Sequence, residues 1–384
     1  MIITDSATLA TFCAALRGAP YIAVDTEFLR ERTYYAQLCL VQVAYGPHAA
    51  VIDPLARGLD LGPLRELLLD PTIVKVFHAA TQDLEIFLQK TGAVPSPVFD
   101  TQIAAAACDK GDQPGYATLV QSLLGIDLDK ASQATDWSVR PLTDRQITYA
   151  LGDVTHLCKV YELLVAELEA RGRAGWVAQD MAALLDERRY RVEPREAYRR
   201  LRMRGAKRQN LAVLRELAAW RESTAMERDL PRPWVVHDDA LIEIALHLPE
   251  DIEQLARVRT LKAPVARGAD GKTLLAVVRR ALEMPEDEWP ALAERRAPLE
   301  GHESLVALFQ ALLRLRCEAH GVATRMVASR EDLDQLATAE TPDIPALQGW
   351  RRELFGEDAL ALRAGRLALT AKDGSVVVVK VEPT

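Results

Sequence analysis

Apolar positions in the first 170 residues follow two periods that alternate along the chain. Short apolar runs at 21–24, 38–44, 49–52 and 73–77 are typical of β-strands. Helical spacing follows at 64–69 and 82–89, and residues 45–48 between two of the runs predict a hairpin turn. A meander of strands followed by a strand–helix unit predicts an α/β domain with a mixed sheet.

The longest predicted helix begins near residue 143 and runs to about residue 171. Thr143 is suited to cap its N-terminus, and Gln146 completes a capping box. Apolar residues recur at helical spacing along its length and predict one buried stripe. Tyr149 and Asp153 lie four positions apart, so we expect their side chains to emerge beside each other on a neighbouring face.

Beyond residue 205, strand patterns nearly vanish and helical patterns dominate. Pro285, Pro290 and Pro298 stand among acidic residues and predict a linker between two helical blocks. A weak internal repeat relates the blocks, because the pattern of 235–241 recurs at 327–333, with a long amphipathic helix before each copy. The sequence therefore predicts two similar small helical domains.

The composition is that of an ordinary globular protein, and 384 residues are enough for two or three domains. Five cysteines without a CxxC pair argue against a disulfide framework or a zinc knuckle, and they predict a reduced, cytoplasmic protein. No apolar run is long enough to span a membrane, and no basic segment precedes the first apolar stretch. We therefore predict neither a membrane anchor nor a signal peptide.

The net charge of -8 would by itself argue against a nucleic-acid partner. The basic residues are unevenly distributed, however, since residues 188–208 hold ten basic side chains and only two acidic ones. A strip that contacts phosphates would explain this segment, and so would a solvated, arginine-rich connecting helix. Charge alone does not separate the two.

Four carboxylates occupy positions that would bring them to one site. Asp25 and Glu27 are two positions apart on a predicted strand and therefore share a face. Asp83 follows another strand, in the first turn of a helix, and Asp153 lies inside the longest helix. Taken singly, the Asp25–Glu27 pair is explained by chance and Asp83 by the helix dipole. Asp153 is harder to explain, because aspartate is unfavourable inside an apolar helix.

Four converging carboxylates would balance the charge of two Mg²⁺ ions, which prefer oxygen ligands. Two such ions can activate a water on one side of a phosphodiester and stabilise the leaving oxygen on the other. The acids therefore predict a phosphodiester-cleaving metal site.

In this order along the chain, the acidic segments resemble the three exonuclease motifs of the DEDD superfamily, in its tyrosine-bearing branch. The segments are Asp25-Thr26-Glu27, His78 through Asp83, and Tyr149-x-x-x-Asp153. Residues 28–38 and 135–142, together with the helical repeats, extend the resemblance to the bacterial ribonuclease D family over essentially the whole chain, although the second repeat is much less typical.

The resemblance implies a domain organisation. It implies a ribonuclease H-like exonuclease domain with a mixed sheet over 1–190 and a basic connecting helix over 191–206. Two small all-α domains of the helicase and RNase D C-terminal (HRDC) type would follow, over 207–286 and 300–384.

The same resemblance implies a metal-dependent 3′→5′ exoribonuclease. Its substrates would be 3′ extensions of tRNA precursors and other small structured RNAs, and its products nucleoside 5′-monophosphates. Asp25 would bridge two divalent cations, Mg²⁺ or Mn²⁺, with Glu27 and Asp153 completing one site. Asp83 would support the other, and Tyr149 would orient the attacking water.

Further RNA contacts follow from the residues around these motifs. Tyr34, Tyr35 and Trp137 are candidates for stacking on bases, and Arg32 and Arg140 for binding phosphates. For each of them, packing in the core or a loop is an equal alternative. His78 would either help shape the site or be a hydrogen-bonded structural residue.

Residues 268–273 look like a phosphate-binding loop, but Ala266 stands where the full motif requires glycine, so we predict no ATP dependence. We expect an RNA partner, no membrane association and a monomer. Two alternatives stay open: a 3′→5′ exodeoxyribonuclease with the same fold, and a catalytically silent RNA-binding protein. The paired helical repeats favour RNA over DNA, and the complete set of acids argues against a silent protein.

Overall fold

The computed structural model describes residues 1–128, 135–203, 205, 207–292 and 301–381. The N-terminal domain is built on one six-stranded sheet. Its strands are β1 (Ile2–Ile3), β2 (Tyr21–Leu29), β3 (Gln37–Tyr45), β4 (His48–Ile52), β5 (Val74–Phe77) and β6 (Val98–Asp100). They lie in the order β1-β4-β3-β2-β5-β6. Because β2 is antiparallel to β3 and parallel to β5, the sheet is mixed, as predicted.

In the described part of this domain, seven α-helices surround the sheet. They are α1 (Ser6–Ala15), α2 (Gly62–Leu69), α3 (Thr81–Thr91), α4 (Thr101–Ala107), α5 (Tyr116–Leu124), α6 (Asp144–Ala170) and α7 (Ala174–Ala183). The predicted long helix is confirmed as α6, which begins at a complete capping box of Thr143 and Gln146. It packs on β2 and β3, while apolar residues of α1, α2 and α3 join the core on the other face of the sheet.

Strand β2 positions the acidic pair. Ile22 and Val24 point into the core shared with α1 to α3, so the alternating Asp25 and Glu27 point to the face covered by α6. The pairing of β2 with β5 ends at Ala23, which lies opposite Val76. Both acids therefore lie beyond the end of β5, where the chain turns into α3.

The connection between the domains differs from the prediction. Residues 191–206 were expected to form a helix, but the described part contains only a 3₁₀ helix, Pro194–Arg200, preceded by a second at Glu187–Arg189. Arg204 lies outside the described residues. Proline at the start and backbone that leaves helical geometry after Arg200 prevent a longer α-helix.

Local ion pairs neutralise much of this basic segment. Arg188 pairs with Asp186, Arg191 with Glu187, and Arg195 with Glu216. All three carboxylates lie outside the range over which the basic excess was counted. The ion pairs therefore favour the interpretation of these arginines as part of a solvated connecting segment, rather than as a strip that contacts phosphates.

The first helical region has its own core. Its helices are α8 (Arg208–Arg228), α9 (Arg232–Val235), α10 (Asp238–His247), α11 (Ile252–Leu255), α12 (Ala263–Arg267) and α13 (Ala269–Leu282). The glycines of the apparent phosphate loop serve packing. Gly268 precedes α13, and a Cβ on Gly271 would lie 1.9 Å from the carbonyl oxygen of Ala266, so only glycine fits there.

The second helical region is not all-α, in contrast to the prediction. It contains α14 (Glu303–His320), α15 (Thr324–Val327), α16 (Arg330–Thr338), α17 (Gly349–Arg351), α18 (Glu357–Arg363), and the strands β7 (Leu367–Lys372) and β8 (Ser375–Lys380). The two strands form an antiparallel hairpin. Asp373 and Gly374 form the two-residue turn between β7 and β8, and both have the positive φ that such a turn requires. Pro298 of the predicted linker lies outside the described residues.

Within the described ranges, no helix combines the length and the apolar character needed to cross a bilayer.

Candidate active site

Three carboxylates converge on one face of the sheet, beyond the end of β5. One oxygen atom each from Asp25, Glu27 and Asp153 lies within 4.8 Å of the other two. β2 supplies the first two side chains and α6 the third, so the site forms where this helix crosses the strand. Asp153 is only 5% exposed, although the position is inside a helix where burial of an acid is costly. The predicted meeting of these three acids is present in the structure.

Asp83 lies beside this group but outside it. It sits in the first turn of α3 and is 7% exposed. Its Oδ1 accepts a hydrogen bond from the hydroxyl of Thr26, the residue that lies between Asp25 and Glu27 in the sequence of β2. The charge of Asp83 acts on Glu27, and that of Asp25 acts on Asp83, so all four acids share one electrostatic neighbourhood.

The carboxyl groups are held away from their ordinary titration range. Burial, followed by the charges of the other three acids, raises the pKa of Glu27 to about 9. Burial and then the charge of Asp25 raise the pKa of Asp153 to about 8. Burial likewise raises the pKa of Asp25 to about 6, and burial with the charge of Asp25 raises that of Asp83 well above its usual value. Such mutual repulsion among carboxylates is relieved by a bound cation.

The donor set fits a hard divalent cation. Every ligand atom that the four acids offer is a carboxylate oxygen, the ligand type that Mg²⁺ and Mn²⁺ prefer. Within the described part of the chain, none of the four forms an ion pair with a lysine or arginine. The negative charge is therefore uncompensated by protein, and a cation would compensate it.

Two tyrosines contact Asp153. Tyr149 lies one helical turn before it, and each side chain shifts the pKa of the other, in agreement with the shared face that the spacing predicts. Burial and the neighbouring acids raise the pKa of Tyr149, so its hydroxyl stays protonated at neutral pH. The hydroxyl of Tyr116, at the start of α5, donates to the backbone carbonyl of Asp153. Sequence reasoning missed Tyr116, because no motif or spacing relates it to α6.

A buried aspartate binds the backbone of the turn that precedes α3. Asp100 accepts hydrogen bonds from the backbone N–H groups of Ala79 and Ala80, at 3.1 and 2.9 Å, and from that of Gln102 at 2.7 Å. It was missed because it is the last residue of a strand of only three residues, which has no recognisable period. His78 takes its structural alternative, since its ring lies 3.0 Å from the Thr101 hydroxyl and 3.1 Å from the Pro114 carbonyl.

Two predicted RNA contacts conflict with the structure. Trp137 is 2% exposed, so its ring offers no free face to a base; it packs instead 6.1 Å from the ring of Tyr149. Arg140 makes a bidentate ion pair with Asp53, at 2.7 and 2.8 Å, and donates to the carbonyl of Cys39. Both side chains hold the segment before α6 against the sheet, which is the packing alternative.

The remaining candidates lie in the loop between β2 and β3. The hydroxyl of Tyr34 donates to Glu222 of α8, and the guanidinium of Arg232 lies 4.8 Å from the centre of its ring. Tyr34 therefore joins two domains, which favours its packing alternative over base stacking. Arg32 is exposed and lines a cavity of about 260 Å³ together with Leu29 and Asp136, so its prediction as a phosphate contact stays untested.

The family model described as 3′-5′ exonuclease matches residues 1–169, and the model of the HRDC domain matches residues 210–278. Together with the mixed sheet and its cluster of acids, the first match defines a 3′→5′ exonuclease of the DEDD type, a class that depends on divalent metals. Ribonuclease D of Granulibacter bethesdensis is 48% identical over 96% of this chain and 93% of its own length. Ribonuclease D of Acidiphilium cryptum is also 48% identical, over 99% of this chain and 97% of its own length.

A solved structure gives the same result. Escherichia coli RNase D, described as an exoribonuclease involved in structured RNA processing, superposes with a TM-score of 0.80 at 36% identity, covering 95% of this chain and 98% of its own. The chain belongs to the ribonuclease D family, and it is a 3′→5′ exoribonuclease.

Proposed function

We propose that this enzyme trims 3′ extensions of tRNA precursors and other small structured RNAs and releases nucleoside 5′-monophosphates. The observation that carries the proposal is the convergence of Asp25, Glu27 and Asp153, with Asp83 beside them. Two divalent cations, Mg²⁺ or Mn²⁺, would activate a water and stabilise the leaving oxygen when bound at these acids.

The roles of the acids follow from their neighbours. Asp25 is central, because its charge acts on each of the other three acids; this supports its role as the ligand that bridges both cations. Glu27 and Asp153 share its group of oxygens and would complete one site. Asp83, outside that group, would support the other.

The position of Tyr149 on α6, one turn before Asp153, supports the proposal that the enzyme belongs to the tyrosine-bearing branch. Its hydroxyl faces the Asp153 carboxylate and keeps its proton, so it can donate a hydrogen bond that orients the attacking water.

The proposed organisation is an exonuclease domain over 1–190, a connection over 191–206 and two HRDC-like domains over 207–286 and 300–384. Equivalent helices in the two helical regions support the second copy. Helices α9 (Arg232–Val235) and α15 (Thr324–Val327) lie 92 positions apart at both ends, and α8 and α14 end 92 positions apart. These domains would hold the body of the RNA while its 3′ tail enters the carboxylate site.

The proposal includes a cytoplasmic monomer that works without ATP. The apparent phosphate loop is the start of a packed helix, which supports the absence of a nucleotide requirement. The five cysteines are free, which is compatible with a reducing compartment.

Digestion of a tRNA with a short 3′ extension, with and without chelator, tests the function. Asp25→Asn and Asp153→Asn should each abolish nearly all shortening of the RNA, because each removes a charged ligand, while the melting temperature stays close to that of the parent. Asp251→Asn, at an exposed helix cap in the HRDC domain, is the matched control and should digest normally.

A folded Asp25→Asn variant that digests RNA at the parental rate would refute the assignment of the site. Matched RNA and DNA strands in the same assay decide the substrate class. Faster digestion of DNA would favour an exodeoxyribonuclease, and tight RNA binding without metal-dependent cleavage would favour a silent RNA-binding protein.

A further inference from the structure

A buried glutamine lies against the acidic cluster. Gln42 is in the middle of β3 and is 0% exposed. It is the direct cross-strand partner of Asp25 in the antiparallel pair of β2 and β3. Directly opposed side chains share one face, with Cβ atoms about 5 Å apart. Gln42 is thus on the face that carries Asp25 and Glu27 and that α6 covers.

The amide of Gln42 has no partner among the described residues. Both its Nε2 and its Oε1 are fully buried and form no hydrogen bond. A buried amide left in this way costs stability, because it has lost its water without gaining a replacement. The neighbours on the same face, Leu40 and Ala44, are apolar, so an aliphatic side chain would suit this part of the core.

The acids differ in the donors that they already have. Asp83 accepts from the Thr26 hydroxyl, and Asp153 interacts with the Tyr149 hydroxyl. In the described part of the chain, Asp25 has a favourable backbone contact at Thr26 but no side-chain donor. The central carboxylate therefore lacks a side-chain donor, and the unpaired amide is on the residue directly opposite it.

We propose that Gln42 is a positioning residue for Asp25: its Nε2–H group donates to the Asp25 carboxylate when the site holds its cations. The inference rests on the proposed function of the carboxylates as metal ligands. Ligand carboxylates in metal sites are oriented by such outer hydrogen bonds, whose loss typically weakens metal affinity or activity about 10- to 100-fold. The buried amide, which destabilises the metal-free protein because it lacks a hydrogen bond, would then gain one when metal binds.

Substitution of Gln42 by leucine separates this role from a structural one. Gln42→Leu removes the amide at nearly constant volume, so the melting temperature without metal should stay the same or rise, by up to about 2–4 °C. The Mn²⁺ concentration at half saturation should increase about 10- to 100-fold. Isothermal titration calorimetry and the metal-induced rise in melting temperature measure it. Activity should recover in part at high metal concentration.

Gln89→Leu is the matched control. Its amide oxygen is also buried and unpartnered, but it lies in the last turns of α3, away from the acids. The Gln89→Leu substitution should leave the Mn²⁺ concentration at half saturation unchanged. Gln42→Met, which is unbranched and of similar length, repeats the test if the leucine variant does not fold.

The outcomes separate this inference from the function on which it rests. If the parent binds no Mn²⁺, or if Asp25→Asn binds it as the parent does, the proposed metal site itself fails. If the parent binds Mn²⁺ and the Gln42 variants bind it equally within twofold, only the role of Gln42 is overturned, whatever the melting temperature does. An equal weakening in Gln89→Leu would also overturn it.

Discussion

At the scale of single residues, the acids of the active site oppose folding when they are ionised. In an unfolded chain these carboxyl groups titrate near pH 4. Burial and mutual repulsion raise their folded pKa values to about 6 for Asp25, about 8 for Asp153 and about 9 for Glu27. An acid with a raised folded pKa contributes stability below its unfolded pKa, and this contribution is lost as the pH rises through the folded pKa.

The metal-free protein should therefore lose stability between about pH 5 and pH 9. Mg²⁺ should restore it, and the rise in melting temperature on adding Mg²⁺ should be larger at pH 8.5 than at pH 5.5. Melting curves with chelator and with Mg²⁺ across this range measure both effects. In Glu27→Gln the loss should be smaller, because one titrating group and one repulsive charge are gone. An equal Mg²⁺ effect at both pH values would contradict this account.

Side-chain direction explains which site residues could be predicted from the sequence. Alternation along β2 and the helical period of α6 fix the directions of Asp25 and Tyr149 without knowledge of the fold. Gln42 and Tyr116 could not be found this way, because their places depend on strand register and on the packing of α5. For Trp137, base stacking and packing were equal alternatives, because residue type and proximity to a motif do not specify exposure; its burial favours packing.

At the scale of elements, Asp100 links β6 to two helices. It caps α4 and also binds the N–H groups of the turn that leads into α3, where Ala79 has a φ of 57°. Asp100→Ala should lower the free energy of unfolding of the nuclease domain by about 3 kcal/mol, since it leaves buried donors unpaired. It should also reduce exonuclease activity, because the first turn of α3 carries Asp83.

Urea denaturation and the RNA digestion assay measure these two effects. Asp5→Ala is the matched control, because Asp5 caps α1 by accepting from Thr8 on an exposed surface. It should cost about 1 kcal/mol, the usual value of an N-cap, and leave activity unchanged. If Asp100→Ala resembles Asp5→Ala in both measurements, Asp100 does not position α3.

Some of the strands that the sequence did not predict are very short, and others are set by turn chemistry. β1 and β6 have two and three residues, too few for any period to be recognised. The β7–β8 hairpin did carry a signal, namely Asp373-Gly374 before a run of four valines. It was outweighed by the helical pattern of the preceding hundred residues. For the basic segment 191–206 the resemblance implies a helix, but Pro194 begins only a short 3₁₀ helix there.

At the scale of the whole molecule, each helical region is attached to the nuclease domain by its own polar and aromatic contacts. Trp176 of α7 and Trp350 of α17 stack with parallel rings 4.3 Å apart, and Arg351 pairs with Asp180. On the first helical region, Glu222 is 0% exposed. Burial acts to raise its pKa, but hydrogen bonds from Arg232 and Tyr34 outweigh it and lower the pKa.

The contact of Tyr34 with Glu222 fixes the loop after β2 to the HRDC domain, so it should matter most for RNA that spans both domains. Tyr34→Phe removes this hydrogen bond and keeps the ion pair of Glu222 with Arg232. Loss of a hydrogen bond to a charged group, about 1.5–3 kcal/mol, should raise KM for a structured RNA with a 3′ tail about tenfold or more.

A short oligonucleotide that reaches only the nuclease domain should be digested almost as before. Steady-state kinetics on the two substrates measure the difference. Tyr35→Phe is the matched control in the same loop, because Tyr35 contacts Asp229 through its backbone N–H, which the substitution keeps. Equal losses on both substrates in Tyr34→Phe would mean that the contact serves the active site directly; no loss on either would mean that the relative position of the two domains does not limit digestion.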